Sequence, residues 1–285
     1  MPELPEVQAL VESLGRSLRG DAIESVRMRS VAALKTYDPP AEALTGLELT
    51  GARRHGKFID LEAAPLHLVV HLARAGWLRR RERPSSTRPA QRGPLLMVVG
   101  LGSGAALEAT EQGTEKRLAV YVVRDVRDVP GIARLGVDAL DESLTPDRLG
   151  ALLAESTSTL KNALADQDVI AGVGNAYSDE ILHAARLSPF RRANSLTASE
   201  MEQLHASLRT VLGDALQEAR SLEPDSLRDG KRLRLRVHGR TGQRCPVCGD
   251  VVREVAYASR SFQYCATCQT GGRVYADRRF SRLLR

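Results

Sequence analysis

The sequence predicts an α+β protein of several domains: one leading helix, a β-rich N-terminal part, an all-helical middle and a cysteine-bearing hairpin at the end. Three observations carry this. Apolar residues Leu4, Val7, Leu10, Val11, Leu14 and Leu18 recur at helical spacing with charged residues between them. From about residue 21 to 135 the pattern changes to short apolar runs of strand character, 66-LHLVVHL-72, 94-PLLMVV-99 and 118-LAVYVV-123. All four cysteines, Cys245, Cys248, Cys265 and Cys268, lie in one C-terminal segment.

Taken in order, the first helix should begin directly after Pro2, with Glu3 and Glu6 in its first turn, where carboxylates favour the positive end of the helix dipole. The polar, basic piece 80-RRERPSSTRPAQRG-93 reads as an exposed loop between strands. Helical signals then take over from about 145 to 220. Thr145-Pro146-Asp147 has the form of an N-cap followed by proline at the first helical position, and Thr197 to Glu200 has the form of a capping box before Leu204, Leu208, Val211 and Leu212. The expected domains are 1–135, 136–239 and 240–285.

A chain of 285 residues with 42% hydrophobic residues is long and apolar enough for more than one core. Its net charge of +6 favours polyanionic partners without identifying one. The basic residues are mostly arginine, whose planar fork matches phosphate oxygens, and the segment 228-RDGKRLRLRVHGR-240 is dense in them, although a solvated strand face would look the same. The sequence offers no long apolar run to span a bilayer, and its acidic, proline-containing start does not resemble a secretory signal, so a cytoplasmic protein is expected, and separately a monomer.

The most specific local signal is Cys245-Pro-Val-Cys248 separated by sixteen residues from Cys265-Ala-Thr-Cys268. Two such knuckles can set four thiolates tetrahedrally around one structural Zn2+, with all positions filled and none open for water. Between them 251-VVREVAY-257 and 261-SFQYC-265 alternate like two strands, which puts Ala258-Ser259-Arg260 at a hairpin tip. The segment 172-GVGNAYSDE-180 offers two glycines for a tight turn whose N–H groups, with the Asn175 amide, can meet an anion; alone it is equally a turn between helices. Lys161, with 161-KNALADQ-167, is ordinary when taken singly. At the front, Pro2 freed of Met1 would present a secondary amine beside a carboxylic acid, a pair able to attack a sugar C1′ and go on to an iminium.

Together, MPELPEV at the start, HGKF at 55–58, VHL at 70–72, DQDVIAGVGNAYSDE at 166–180 and the two knuckles resemble, in order and spacing, the formamidopyrimidine-DNA glycosylase and endonuclease VIII family. The resemblance implies an N-terminal β-sandwich, a helix-two-turn-helix domain and a zinc-finger hairpin. It also implies a nucleoid-associated bacterial repair enzyme, a bifunctional glycosylase and AP lyase acting on double-stranded DNA with damaged bases or abasic sites. Residue by residue, it makes Pro2 the Schiff-base nucleophile and Glu3 the acid for sugar opening and base departure, with Glu6 in support. Lys57 becomes a phosphate contact that takes part in elimination. His71, Asn175 and Arg260 become the grip on phosphates around a flipped nucleotide, with Lys161 also on the DNA-binding side.

Three places depart from the family pattern. Arg74 in 71-HLARAG-76 stands where relatives that excise 8-oxoguanine carry a methionine wedge. In 125-DVRDV-129, Arg127 is kept but the aromatic partner is not. The stretch from Ser226-Leu227-Arg228 to Val237-His238-Gly239-Arg240 is shorter than the loop with which such relatives grip 8-oxoguanine. Two other classes are open to this sequence: a DNA-binding member of the fold without chemistry, which the intact Pro2, Glu3, Lys57 and Arg260 argue against, and a zinc-ribbon protein of the transcription apparatus, which would leave the N-terminus and GVGN unexplained.

Overall fold

The computed structural model describes residues 1–83, 93–257 and 260–276. Residues 84–92 of the expected loop, Ala258 and Ser259 of the expected hairpin tip, and 277–285 of the basic tail lie outside the described residues. The chain divides into two compact units, Met1–Arg134 with Leu222–Leu227, and Leu135–Ser221 with Arg228–Arg285.

The first unit opens with α1 (Leu4–Leu18), which buries the stripe Leu4, Val7, Leu10, Val11, Leu14 and Leu18 that the periodicity predicts. Eight strands follow: β1 (Ile23–Met28), β2 (Gly51–His55), β3 (Phe58–Ala63), β4 (Leu66–His71), β5 (Gly76–Arg81), β6 (Leu95–Leu101), β7 (Ala106–Glu111) and β8 (Ala119–Val123), then the single turn α2 (Pro130–Ala133). They form two antiparallel four-stranded sheets, ordered β1-β6-β7-β5 and β2-β3-β4-β8. This is the expected β-sandwich. The long apolar runs are its central strands: Leu68, Val69 and Val70 of β4 and Met97 and Val99 of β6 are fully buried. Pairing of Phe58 with His71 brings the β2–β3 turn, which contains Lys57, to the end of the sheet where His71 lies. Gly56 takes φ +55° in that turn, a conformation glycine adopts without steric cost.

The second unit contains β9 (Val137–Asp138), α3 (Pro146–Ala154), α4 (Leu160–Leu164), β10 (Ile170–Ala171), α5 (Asn175–Ala184), α6 (Ala198–Arg220), α7 (Leu227–Arg234) from Arg228 onward, β11 (Val252–Ala256), β12 (Ser261–Cys265) and α8 (Ala266–Gln269). Both cap readings hold: the Arg148 N–H donates to Thr145 Oγ1 at 3.2 Å, and Thr197 and Glu200 form a reciprocal capping box at the start of α6. The middle is not wholly helical, because β9 and β10 form a two-residue parallel ladder. Gly136 permits it, since a Cβ there would lie 2.3 Å from the Val169 carbonyl oxygen. The basic segment after Arg228 is a helix as far as Arg234, not a strand. In the hairpin, β11 and β12 pair from Val252–Cys265 to Ala256–Ser261.

Candidate active site and metal centre

In the first unit the N-terminal residues form one buried group. Pro2, Glu3 and Glu6 are all buried, Glu3 and Glu6 at 1% exposure each. Glu3 is the N-cap of α1, and the Glu6 carboxylate accepts the Glu3 N–H at 2.9 Å. The helix start therefore holds two carboxyl groups directly after Pro2, against the positive end of the dipole. Lys57 is 7% exposed in the β2–β3 turn. His71 packs its ring on Phe58, centroids 4.6 Å apart. Burial, with the Lys57 charge adding to it, pulls the His71 pKa down from 6.5 to about 4. At neutral pH His71 is thus a neutral imidazole, able to donate one N–H.

This shift has a consequence for stability. The folded pKa is depressed, so the unfolded chain binds the proton more readily; stability is complete above pH 6.5 and is lost as pH falls toward 4. At about 1.4 kcal/mol per unit the loss approaches ~3 kcal/mol. Denaturant midpoints between pH 7 and 4.5 should therefore fall more steeply for the wild type than for His71→Gln. Parallel profiles would contradict the neutral assignment of His71.

Arg74 is exposed on the loop after β4, next to Ala73, which holds a left-handed φ of +51°. Arg127 is exposed and paired with Asp125, and the guanidinium holds the Asp125 carboxyl down at about 2.

In the second unit Asn175 is the first residue of α5, behind the Gly174 N-cap, and its Oδ1 is buried without a hydrogen-bond partner. Arg260, next to β12, is exposed and contacts Asn162 Oδ1 at 3.4 Å. Lys161 departs from expectation. Its side chain is 0% exposed, bonded to Asp179 Oδ1 and to the Ser261 carbonyl, each at 2.5 Å, and it lies over the Phe262 ring. The structure thus places Lys161, expected on the DNA-binding side, in an enclosed ion pair that also fixes the carbonyl of the residue that follows Arg260.

Sequence reasoning missed the partners of Lys161. Asp179 also accepts the Gln263 N–H at 3.2 Å and pairs with His238 Nδ1 at 2.9 Å. Its neighbour Glu180 accepts three backbone N–H groups, from Arg236, Val237 and His238, at 2.8 to 3.0 Å. Burial pushes the Glu180 pKa up, and those three donors oppose it. One turn further along α5, His183 Nε2 lies 3.3 Å from Cys245 Sγ.

The four cysteine sulfurs all lie within 4.8 Å of one another. Cys248 and Cys265 are 3.3 Å apart, and Cys245 and Cys268 3.9 Å. A tetrahedral zinc with bonds of about 2.3 Å needs sulfur–sulfur edges of about 3.8 Å, so the cluster fits such an ion. Among the described residues no other His, Cys, Asp and Glu group has this form, and no helix is long and apolar enough to cross a membrane.

Residues 1–113 match the formamidopyrimidine-DNA glycosylase N-terminal domain and residues 135–225 the formamidopyrimidine-DNA glycosylase H2TH domain. The chain is 35% identical over 277 residues to the formamidopyrimidine-DNA glycosylase of Symbiobacterium thermophilum, covering 94% of this chain and 89% of that one. The crystal structure of the Thermus thermophilus formamidopyrimidine-DNA glycosylase superposes with a TM-score of 0.80 at 33% identity, covering 94% of this chain and 98% of that one. The Lactococcus lactis enzyme, solved non-covalently bound to DNA containing an AP site, superposes with a TM-score of 0.82 at 24% identity, covering 94% and 99%. The chain belongs to the formamidopyrimidine-DNA glycosylase family, a family of DNA repair glycosylases.

Proposed function

We propose that this chain is a bifunctional DNA glycosylase and AP lyase that removes oxidised or ring-opened bases from double-stranded DNA. The observation that carries the reading is the buried Glu3–Glu6 pair directly behind Pro2 at the start of α1. Removal of Met1 frees the Pro2 nitrogen, whose ordinary α-amino pKa of about 8 leaves a neutral fraction at working pH. That nitrogen attacks C1′. A proton from Glu3 assists opening of the sugar ring, and the C1′–base bond breaks with the electron pair leaving on the base. The resulting iminium acidifies the C2′ protons; loss of one expels the 3′ phosphate, and a second elimination expels the 5′ phosphate, leaving a one-nucleotide gap. Glu6 holds the Glu3 backbone, and Lys57 acts in the elimination.

His71, Asn175, Arg74, Arg127 and Arg260 are assigned to the DNA side. The neutral His71 serves as an N–H donor to phosphate, and Arg260 as a cation. The cluster Cys245, Cys248, Cys265 and Cys268 holds one structural Zn2+, which ties the hairpin carrying Arg260 to the rest of its unit.

Substrate preference follows from Arg74 and the shortened 226–240 connection. Without a long enclosing loop, discrimination of 8-oxoguanine from guanine lacks its hydrogen-bond partners, and without a methionine wedge and an Arg-Phe pair the enzyme is less selective for the base opposite. Single-turnover cleavage of matched duplexes tests this. Abasic, ring-opened purine and oxidised pyrimidine duplexes should each be cut faster than 8-oxoguanine opposite cytosine, with abasic DNA fastest because it needs no base pocket. A rate on 8-oxoguanine above every other lesion would contradict the specificity; cleavage of none would contradict the activity.

A further inference from the structure

His183 is unused by the chemistry proposed above, yet it is 3% exposed and directed at the cysteine cluster. We infer that His183 is a positioning residue of the metal centre, donating an Nε2–H hydrogen bond to the Cys245 thiolate and thereby slowing loss of the metal. This rests on the reading of the four cysteines as a zinc site.

Four thiolates around a dication leave two negative charges, here at a place where Cys245 is 2% and Cys265 0% exposed. Charge out of reach of water needs donors. Buried Cys265 has one from within its own knuckle, the Cys268 N–H, while the Asp250 N–H points toward the exposed Cys248. Cys245 instead meets His183, which precedes it by 62 residues and lies on another element. A thiolate offers only lone pairs, so the nitrogen facing it carries the hydrogen. The 3.3 Å separation suits a donor to sulfur, whose radius exceeds that of oxygen.

The same face of α5 carries Asp179 and Glu180, which accept from Gln263, Arg236, Val237 and His238. Residues spaced by three or four along a helix are neighbours on its surface. One helix face is therefore fastened to β12, to the segment before the first knuckle, and through His183 to the ligand set itself.

The test uses the full-length, zinc-loaded protein as wild type, His183→Phe and His183→Gln. Phenylalanine fills similar volume without a donor; glutamine keeps an N–H. Metal analysis comes first. A wild type without zinc would overturn the zinc reading and this inference with it, whereas one zinc per chain leaves the inference to the kinetics. Transfer of zinc to a chromogenic chelator should be roughly 10-fold or more faster from His183→Phe, with His183→Gln between, the size of effect that outer-sphere donors have on metal affinity. In cobalt-substituted protein, loss of the donor should move the thiolate-to-cobalt charge-transfer band to lower energy. Equal release rates with an unmoved band would overturn the inference, as would a wild-type cobalt spectrum of three sulfurs and one nitrogen. If the Phe variant does not fold, His183→Gln is compared with His183→Met, which lacks the amide donor, and equal release from the two overturns it.

Discussion

Glu3→Gln is expected to slow base excision by about 10²- to 10⁴-fold, the usual contribution of a positioned general acid, while leaving much of the affinity for lesion DNA and part of the cleavage at preformed abasic sites. The split follows from chemistry: a base must be driven off, but an abasic site has already lost it. It also separates two roles that this residue could play. Glu3 caps α1 and is 1% exposed, so its carboxylate has reason to be there without any catalysis. A glutamine keeps the shape and an oxygen acceptor, and the Glu6 carboxylate can still accept the N–H of residue 3. Loss of the cap alone costs about 1 kcal/mol and would appear in thermal unfolding. Excision assays and binding titrations on the same duplex decide: equal loss of both would mark Glu3 as a folding residue only.

Cys245→Ser, or stripping of metal by a chelator, should disorder the knuckle end of the hairpin and collapse binding to lesion DNA. Structural zinc contributes on the order of 10 kcal/mol to units of this kind. The apolar support left behind is smaller. Around Cys245 it amounts to Val237, Val252 and Cys265, and beyond them to the packing of Phe190 on Phe262, Tyr264 and Tyr275. That aromatic packing belongs to a separate cluster and does not hold the four sulfurs together. Arg260 is carried by this hairpin and would lose its position. Fluorescence anisotropy with an abasic duplex, read against metal content, checks it; a metal-free protein with normal affinity would remove the hairpin from the DNA-binding account.

What was legible in the sequence is what local spacing encodes. The α1 stripe from Leu4 to Leu18, the strand runs around Leu68 and Val98, the Thr145 and Thr197 caps and the two cysteine pairs each announce their structure within a few residues, and each is seen in the structure. The network on α5 is not of that kind. Asp179, Glu180 and His183 are ordinary in their own segment and acquire meaning from partners 56 to 84 residues later in the chain. Their one local hint is two acidic residues in the middle of a helix whose neighbours Ile181 and Leu182 are core residues. The pairing of Lys161 with Asp179 was hidden for the same reason, since eighteen residues separate them and neither is unusual in its own segment. The ladder of β9 and β10 was missed because two-residue strands have no periodicity to read. The departures at Arg74 and Arg127 were visible from the family pattern, and both side chains are exposed.

In the proposed mechanism the Pro2 nitrogen forms the covalent bond to DNA. Reduction with borohydride during reaction with an abasic duplex, followed by digestion and mass spectrometry of the N-terminal peptide, tests it directly. The expected result is a chain that has lost Met1 and carries a reduced sugar adduct on the Pro2 nitrogen, formed in good yield, with Lys57→Ala still trappable. Trapping through a lysine, or trapping in a protein that retains Met1 quantitatively, would contradict it.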